Sequence, residues 1–171
     1  MRRGARHQRA RWRARHLALV TARACYDTLM ECGVAAKRDL KKGRTSPAVE
    51  RLIECNILLS GVGFESGGLA LAHAIANGLT ILPECKAMHG EAVAFGLVVQ
   101  LRLERAPELN QVLEFCQCVG LPMTLEELGL DEISDADLMS VADAVFRNER
   151  NMANEQAKVT RQKLVQLMRE A

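Results

Sequence analysis

Gly61-Val-Gly-Phe-Glu-Ser-Gly-Gly68, running directly into Leu69-Ala-Leu-Ala-His73-Ala-Ile-Ala-Asn-Gly78, decides how the rest of the chain is read. Glycine lets main chain approach main chain, or a ligand, at distances a Cβ would forbid, so a bend is predicted over residues 61–68. The helix predicted over residues 66–77 is apolar on nearly every side, which suits a buried position. One imidazole, His73, sits in its middle, and a second, His89, opens the next helical segment, Met88-His-Gly-Glu-Ala-Val-Ala-Phe-Gly96.

On either side of this stretch the pattern is helical. Leu17, Val20, Ala24 and Leu29 suggest an inward stripe on a helix running from Leu17 to about Lys42, stopped by Gly43. Ser46-Pro47 is a helix-start signal, and Val49, Leu52, Ile53 and Ile57 are expected to point inward over residues 47–60. After the central helix, a loop over residues 78–88 contains Pro83. A long helix then runs from His89 to about Ala106, ahead of Pro107. Another ends at Val119, where Gly120-Leu-Pro122 supplies a glycine cap with proline beyond it. Thr124 and Glu127 have capping-box spacing around one short turn. Ser134 or Asp135 starts a helix through Phe146, the link 147–158 is polar, and Thr160 starts a final amphipathic helix. The expected fold class is all-α, with roughly seven or eight helices.

Composition agrees. Hydrophobic residues make up 49% of the 171 but aromatic ones only 4%, so the core must be built from Leu, Val, Ile, Ala and Met, which favour helices. No apolar run reaches membrane-spanning length, and no membrane partner is expected. The net charge of +2 conceals seven arginines and no acid within residues 1–16; the remainder holds 16 basic and 21 acidic residues. Residues 1–16 are expected to be a solvated, disordered basic tail. The mildly acidic body argues against the fold itself binding nucleic acid. Six cysteines form no CxxC pair and no disulfide-scaffold spacing, which points to reduced thiols and a cytoplasmic protein.

Of the possible sites, His73 and His89 stand sixteen positions apart and cannot share a helix face. They converge only if the intervening loop folds their helices together. Neutral imidazole is the commonest ligand for a divalent ion such as zinc. The alternative is a pair of core histidines hydrogen-bonded to main chain. Glu91 is either a ligand or orienting group, or a carboxylate favoured by the helix N-terminus. Gly61-x-Gly63-x-x-x-Gly67-Gly68 matches neither GxGxxG after a strand nor GxxxxGK[ST], so it is no nucleotide fingerprint. Phe64 either walls a small pocket or plugs the core. No GxSxG or other nucleophile context is present.

Taken together, Ser60-Gly-Val-Gly-Phe-Glu-Ser-Gly-Gly68, Ala72-His-Ala-Ile75, Asn77-Gly-Leu-Thr80 and His89-Gly-Glu-Ala-Val-Ala-Phe-Gly96 resemble the iron-containing (type III) alcohol dehydrogenase family, and within it the glycerol dehydrogenases. A looser resemblance runs from about Leu17 onward, through Thr45-Ser-Pro47 and Val119-Gly-Leu-Pro122. It implies the C-terminal helical domain of the dehydroquinate synthase-like fold over residues 17–171. The family's NAD-binding Rossmann-like domain has no counterpart in this chain. His73 and His89 match two histidine ligands of a zinc, or in relatives an iron, and Phe64 matches an aromatic wall of the glycerol pocket. The implied reaction is NAD-dependent oxidation of glycerol to dihydroxyacetone, with the metal polarising the alcohol. The family's third ligand, an aspartate, lies upstream of anything matched, and residues 1–16 match nothing. The chain alone is therefore expected to be catalytically incompetent, with homo-oligomerisation a family expectation. A different class of function, a non-catalytic helical interaction module or pseudoenzyme fragment with an arginine-rich tail, remains the alternative, as does a split enzyme with a separate nucleotide-binding subunit.

Overall fold

The structure, a computed structural model, describes residues 16–171. The expected disordered basic tail lies outside the described residues, except for His16, which opens the first helix. Among the described residues every regular element is helical, so the fold is all-α.

Helix α1 spans His16–Lys41 and ends ahead of Gly43, which takes the left-handed conformation at φ +65°. Ser46 then caps α2 (Pro47–Glu54), its hydroxyl accepting from the Val49 N–H, with Pro47 supplying a first-turn residue that has no N–H to leave unpaired. A π-helical turn, Cys55–Leu59, joins α2 to α3 (Ser60–Gly67). Beyond the break follow α4 (Leu71–Leu79), α5 (His89–Glu104), α6 (Leu109–Val119), α7 (Asp135–Arg147), the short α8 (Glu149–Met152) and α9 (Arg161–Arg169). Ser134 and Thr160 cap α7 and α9 through their hydroxyls. Gly120 closes α6 at φ +63°.

The main core lies where α4 meets α5 and α7, with α9 packed across α7 and α5. Leu71, Ile75, Leu79, Phe95, Leu138, Val141, Val145 and Leu164 are completely buried there, each contributing about 1.5–3 kcal/mol of transfer free energy. Helix α6 bridges this body to α1, and α1 carries the α2–π–α3 rod as an outer layer.

Three expectations need correction. The glycine-rich stretch 61–67 is helical, and the bend is confined to residues 68–70, with Gly68 at φ +76°. The central helix therefore begins at Leu71, several residues later than its apolar pattern suggested. The inward faces also differ. On α1, Leu17 and Val20 are exposed, and Ala18, Thr21, Cys32, Gly33 and Ala36 are the buried positions. On the rod, Val49 and Cys55 are buried, whereas Ile53 and Ile57 face outward. The reason is geometric: among the described residues, and apart from its own neighbours, the rod packs against α1 alone, so one narrow arc is covered. Small residues win that arc because they allow close approach; an added Cβ on Gly67 would lie 3.3 Å from the Ala18 Cβ. No helix among the described residues is by itself long and apolar enough to cross a membrane.

Candidate metal centre

The break between α3 and α4 fixes how His73 is presented. Ala70, at the N-cap position of α4, offers no side-chain cap, and the helix start is held from elsewhere in the chain. Gln100, on α5, accepts from the Ala72 N–H through Oε1 at 2.9 Å. Asn154, in the segment after α8, donates from Nδ2 to the Leu69 carbonyl at 2.9 Å. Gln100 thus satisfies a first-turn N–H that a local Ser or Asp would ordinarily serve, and Asn154 anchors the carbonyl just ahead of the helix.

Helix α5 starts at His89. Met88 is extended, and its N–H donates to Glu91 Oε2 at 2.8 Å, so this carboxylate binds back onto its own helix start. Two turns further on, Gly96 lies against the main chain of α4 at Ala72, the residue before His73. Because no side chain separates the helices at that crossing, their backbones come close and both imidazoles are drawn to one side of the pair. The His73 and His89 ring centroids are 5.8 Å apart with the planes tilted by 54°. Neither ring has a hydrogen-bond partner among the described residues, so neither is occupied in holding main chain. Burial, and then the neighbouring His89, lowers the pKa of His73, which favours the neutral, ligand-competent imidazole. His89 is exposed.

Two imidazoles facing each other from separate helices fit part of a divalent metal's donor set. Among the described residues no group of three or more His, Cys, Asp or Glu gathers to complete it. A catalytic zinc usually takes three protein ligands, so any further donor comes from outside this pair.

Phe64 lies elsewhere. It is half-exposed on α3 and lines a groove of about 460 Å³ against α1, with Leu19, Ala22, Cys25 and Gly63; neither histidine lines that groove. The structure thus pairs the two histidines and leaves Phe64 on a separate surface. Sequence reasoning missed Gln100, Asn154 and Gly96. Gly96 carried a signal, a glycine inside an apolar helix; Gln100 and Asn154 carried none, because each acts on main chain far away in sequence.

No family model matches the chain. Glycerol dehydrogenase from Thermotoga maritima is 50% identical over 146 residues, a span covering 84% of this chain and 40% of that protein. Glycerol dehydrogenase from Citrobacter freundii is 49% identical over 146 residues, with the same 84% and 40% coverage. Among solved structures, glycerol dehydrogenase from Schizosaccharomyces pombe superposes with a TM-score of 0.85 at 38% identity, covering 91% of this chain and 40% of that one. The chain is therefore a relative of the glycerol dehydrogenases, which are oxidoreductases, over most of its own length, and it spans about 40% of the length of these curated relatives.

Proposed function

We propose that this chain is the metal-holding helical part of an NAD-dependent glycerol dehydrogenase, and that His73 and His89 are two of the metal's ligands. What supports the reading most directly is the convergence of the two imidazoles at 5.8 Å, in a chain half identical to glycerol dehydrogenases where they align. A zinc or iron ion held by these residues would supply Lewis acidity that makes an alcohol easier to deprotonate. His73, kept neutral by burial, offers a nitrogen lone pair at physiological pH without first having to shed a proton. His89, at the first turn of α5 and exposed, brings the second nitrogen from the solvent side. Gly96 and Gln100 hold α4 against α5 and so set the spacing of the two donors. In this reading glycerol is the substrate, dihydroxyacetone the product, and NAD the hydride acceptor. Phe64 acts as an apolar wall toward the substrate only if the groove it lines opens toward the histidines in the assembled enzyme.

Zinc titration of the metal-free chain by calorimetry tests the reading without requiring turnover. One ion per chain is expected, with affinity reduced at least about tenfold in both His73→Ala and His89→Ala. Equal zinc affinity in wild type and both variants would remove the histidines from the site.

A further inference from the structure

Cys25 on α1 and Cys55 at the start of the π turn face each other with their Sγ atoms 3.3 Å apart. The Cys55 thiol also lies 3.5 Å from the Cys25 carbonyl oxygen, which aims it at the main chain within α1. Both thiols are free. The two positions differ in access: Cys25 is half-buried and lines the groove beside Phe64, whereas Cys55 is fully buried. The π turn is the local device that sets the pairing. Its wide hydrogen bond runs from the Ser60 N–H to the Cys55 carbonyl, and such turns recur at functional positions in helices.

We propose that Cys25 and Cys55 are an oxidisable dithiol, converted by a peroxide into an intramolecular disulfide that straps α1 to the α2–π–α3 rod. The sulfurs need to close by only about 1.3 Å to reach bonding distance. In the first step the Cys25 thiolate attacks one peroxide oxygen. The O–O bond breaks, Cys25 becomes a sulfenic acid, and the departing hydroxide takes up a proton as water. In the second step the Cys55 sulfur attacks the Cys25 sulfur. The S–O bond breaks, the S–S bond forms, and the Cys55 proton leaves with the hydroxide as a second water. Two thiols are oxidised by two electrons and one hydrogen peroxide is reduced to two waters.

The order of attack follows from the environments. Burial first, and then its contact with Cys25, pushes the Cys55 thiol up to about 11, which disfavours its thiolate and leaves initiation to the groove-lining Cys25; Cys55 resolves because its sulfur already lies beside that of Cys25. The strap would have a defined mechanical effect. Because, among the described residues, the rod touches no helix other than α1 and its own segments, one bond at Cys55 fixes the whole layer that carries Phe64. This inference stands apart from the metal reading and does not require it.

The test is peptide mapping of the intact chain after exposure to hydrogen peroxide, alkylation of remaining thiols under denaturing conditions, and digestion without reductant. A peptide pair joining Cys25 to Cys55, lighter by two hydrogens and abolished by thiol reduction, is expected as the main oxidised species in monomeric chain. In Cys55→Ser the same treatment should leave Cys25 as a sulfenic acid captured by dimedone, and Cys25→Ser should leave Cys55 alkylatable. Full alkylation of both cysteines in the treated wild type would overturn the proposal. So would a first linkage through Cys118, the exposed thiol, or between chains.

Discussion

Replacing Gly96 by alanine tests the close helix crossing on which the candidate centre depends. An ideal Cβ at this position would press into the Ala72 carbonyl oxygen and lie 3.1 Å from both the Ala72 carbonyl carbon and its Cα. Comfortable carbon–carbon contact begins near 3.5 Å, so α4 and α5 must separate by several tenths of an ångström or more. The obstructing atoms are all main chain, and no side-chain rotation relieves them. The overpacking cost therefore falls at the upper end of the usual range, about 3 kcal/mol. Alanine's better helix propensity offsets about 1 kcal/mol of that, leaving a net loss of about 2 kcal/mol. For a domain of this size that lowers Tm by roughly 4–8 °C. Gly90→Ala is the matched control: it lies in the first turn of α5, where an added Cβ meets nothing within 4 Å, so its stability should hold or rise slightly. Circular dichroism melts of wild type, Gly96→Ala and Gly90→Ala in parallel measure the difference. If Gly96→Ala melts at or above Gly90→Ala, the close approach does not govern this crossing and the account of the His73–His89 spacing fails with it.

Further outcomes follow from the segments that hold α4. Gly68 sits at φ +76° and ψ −176°, a region L-residues scarcely enter, and a Cβ there would meet the Asn154 amide at 2.5 Å. Gly68→Ala should cost about 1–3 kcal/mol in urea unfolding, and Asn154→Ala should not rescue it, because the backbone strain persists once the amide is gone. Glu155 is half-buried with Oε2 unpartnered, and its pKa is raised by burial foremost and by Glu104 in addition. A raised carboxyl pKa makes the folded state bind more protons than the unfolded one. Stability from this group is thus fully present below the unfolded value near 4.5 and lost as pH rises through the folded value. Glu155→Gln should be more stable than wild type at neutral pH and show a flatter profile when urea midpoints are compared from pH about 4 to 7. A wild-type midpoint that falls no faster than the variant's over that interval would contradict the assignment.

Helix termini were legible wherever a local signal existed. Ser46-Pro47, Gly120-Leu-Pro122, Ser134 and Thr160 act on main chain within a few residues of themselves, and each marks a boundary the structure shares. The run 61–70 misled because glycine permits a bend without requiring one. There the preceding helix continued through Gly61 and Gly63, whose missing side chains leave nothing to clash, and stopped only at the positive φ of Gly68. Ile53 and Ile57 misled for another reason: hydrophobicity indicates what prefers burial, not how wide an arc a single partner helix covers. Glu91, by contrast, was resolvable only as two roles, and its bond to the Met88 N–H shows the helix-start role at work.

That this chain is helical, where most of its helices start and stop, and which two imidazoles merit attention can all be read along the chain, because those properties reside in near neighbours and in the kinds of residue present. Tertiary structure alone decided that His73 and His89 meet, that Phe64 stands apart from them, and that Cys25 lies against Cys55. The meeting of the two rings depends on a missing side chain at Gly96 and remote hydrogen bonds from Gln100 and Asn154, interactions between residues distant in sequence.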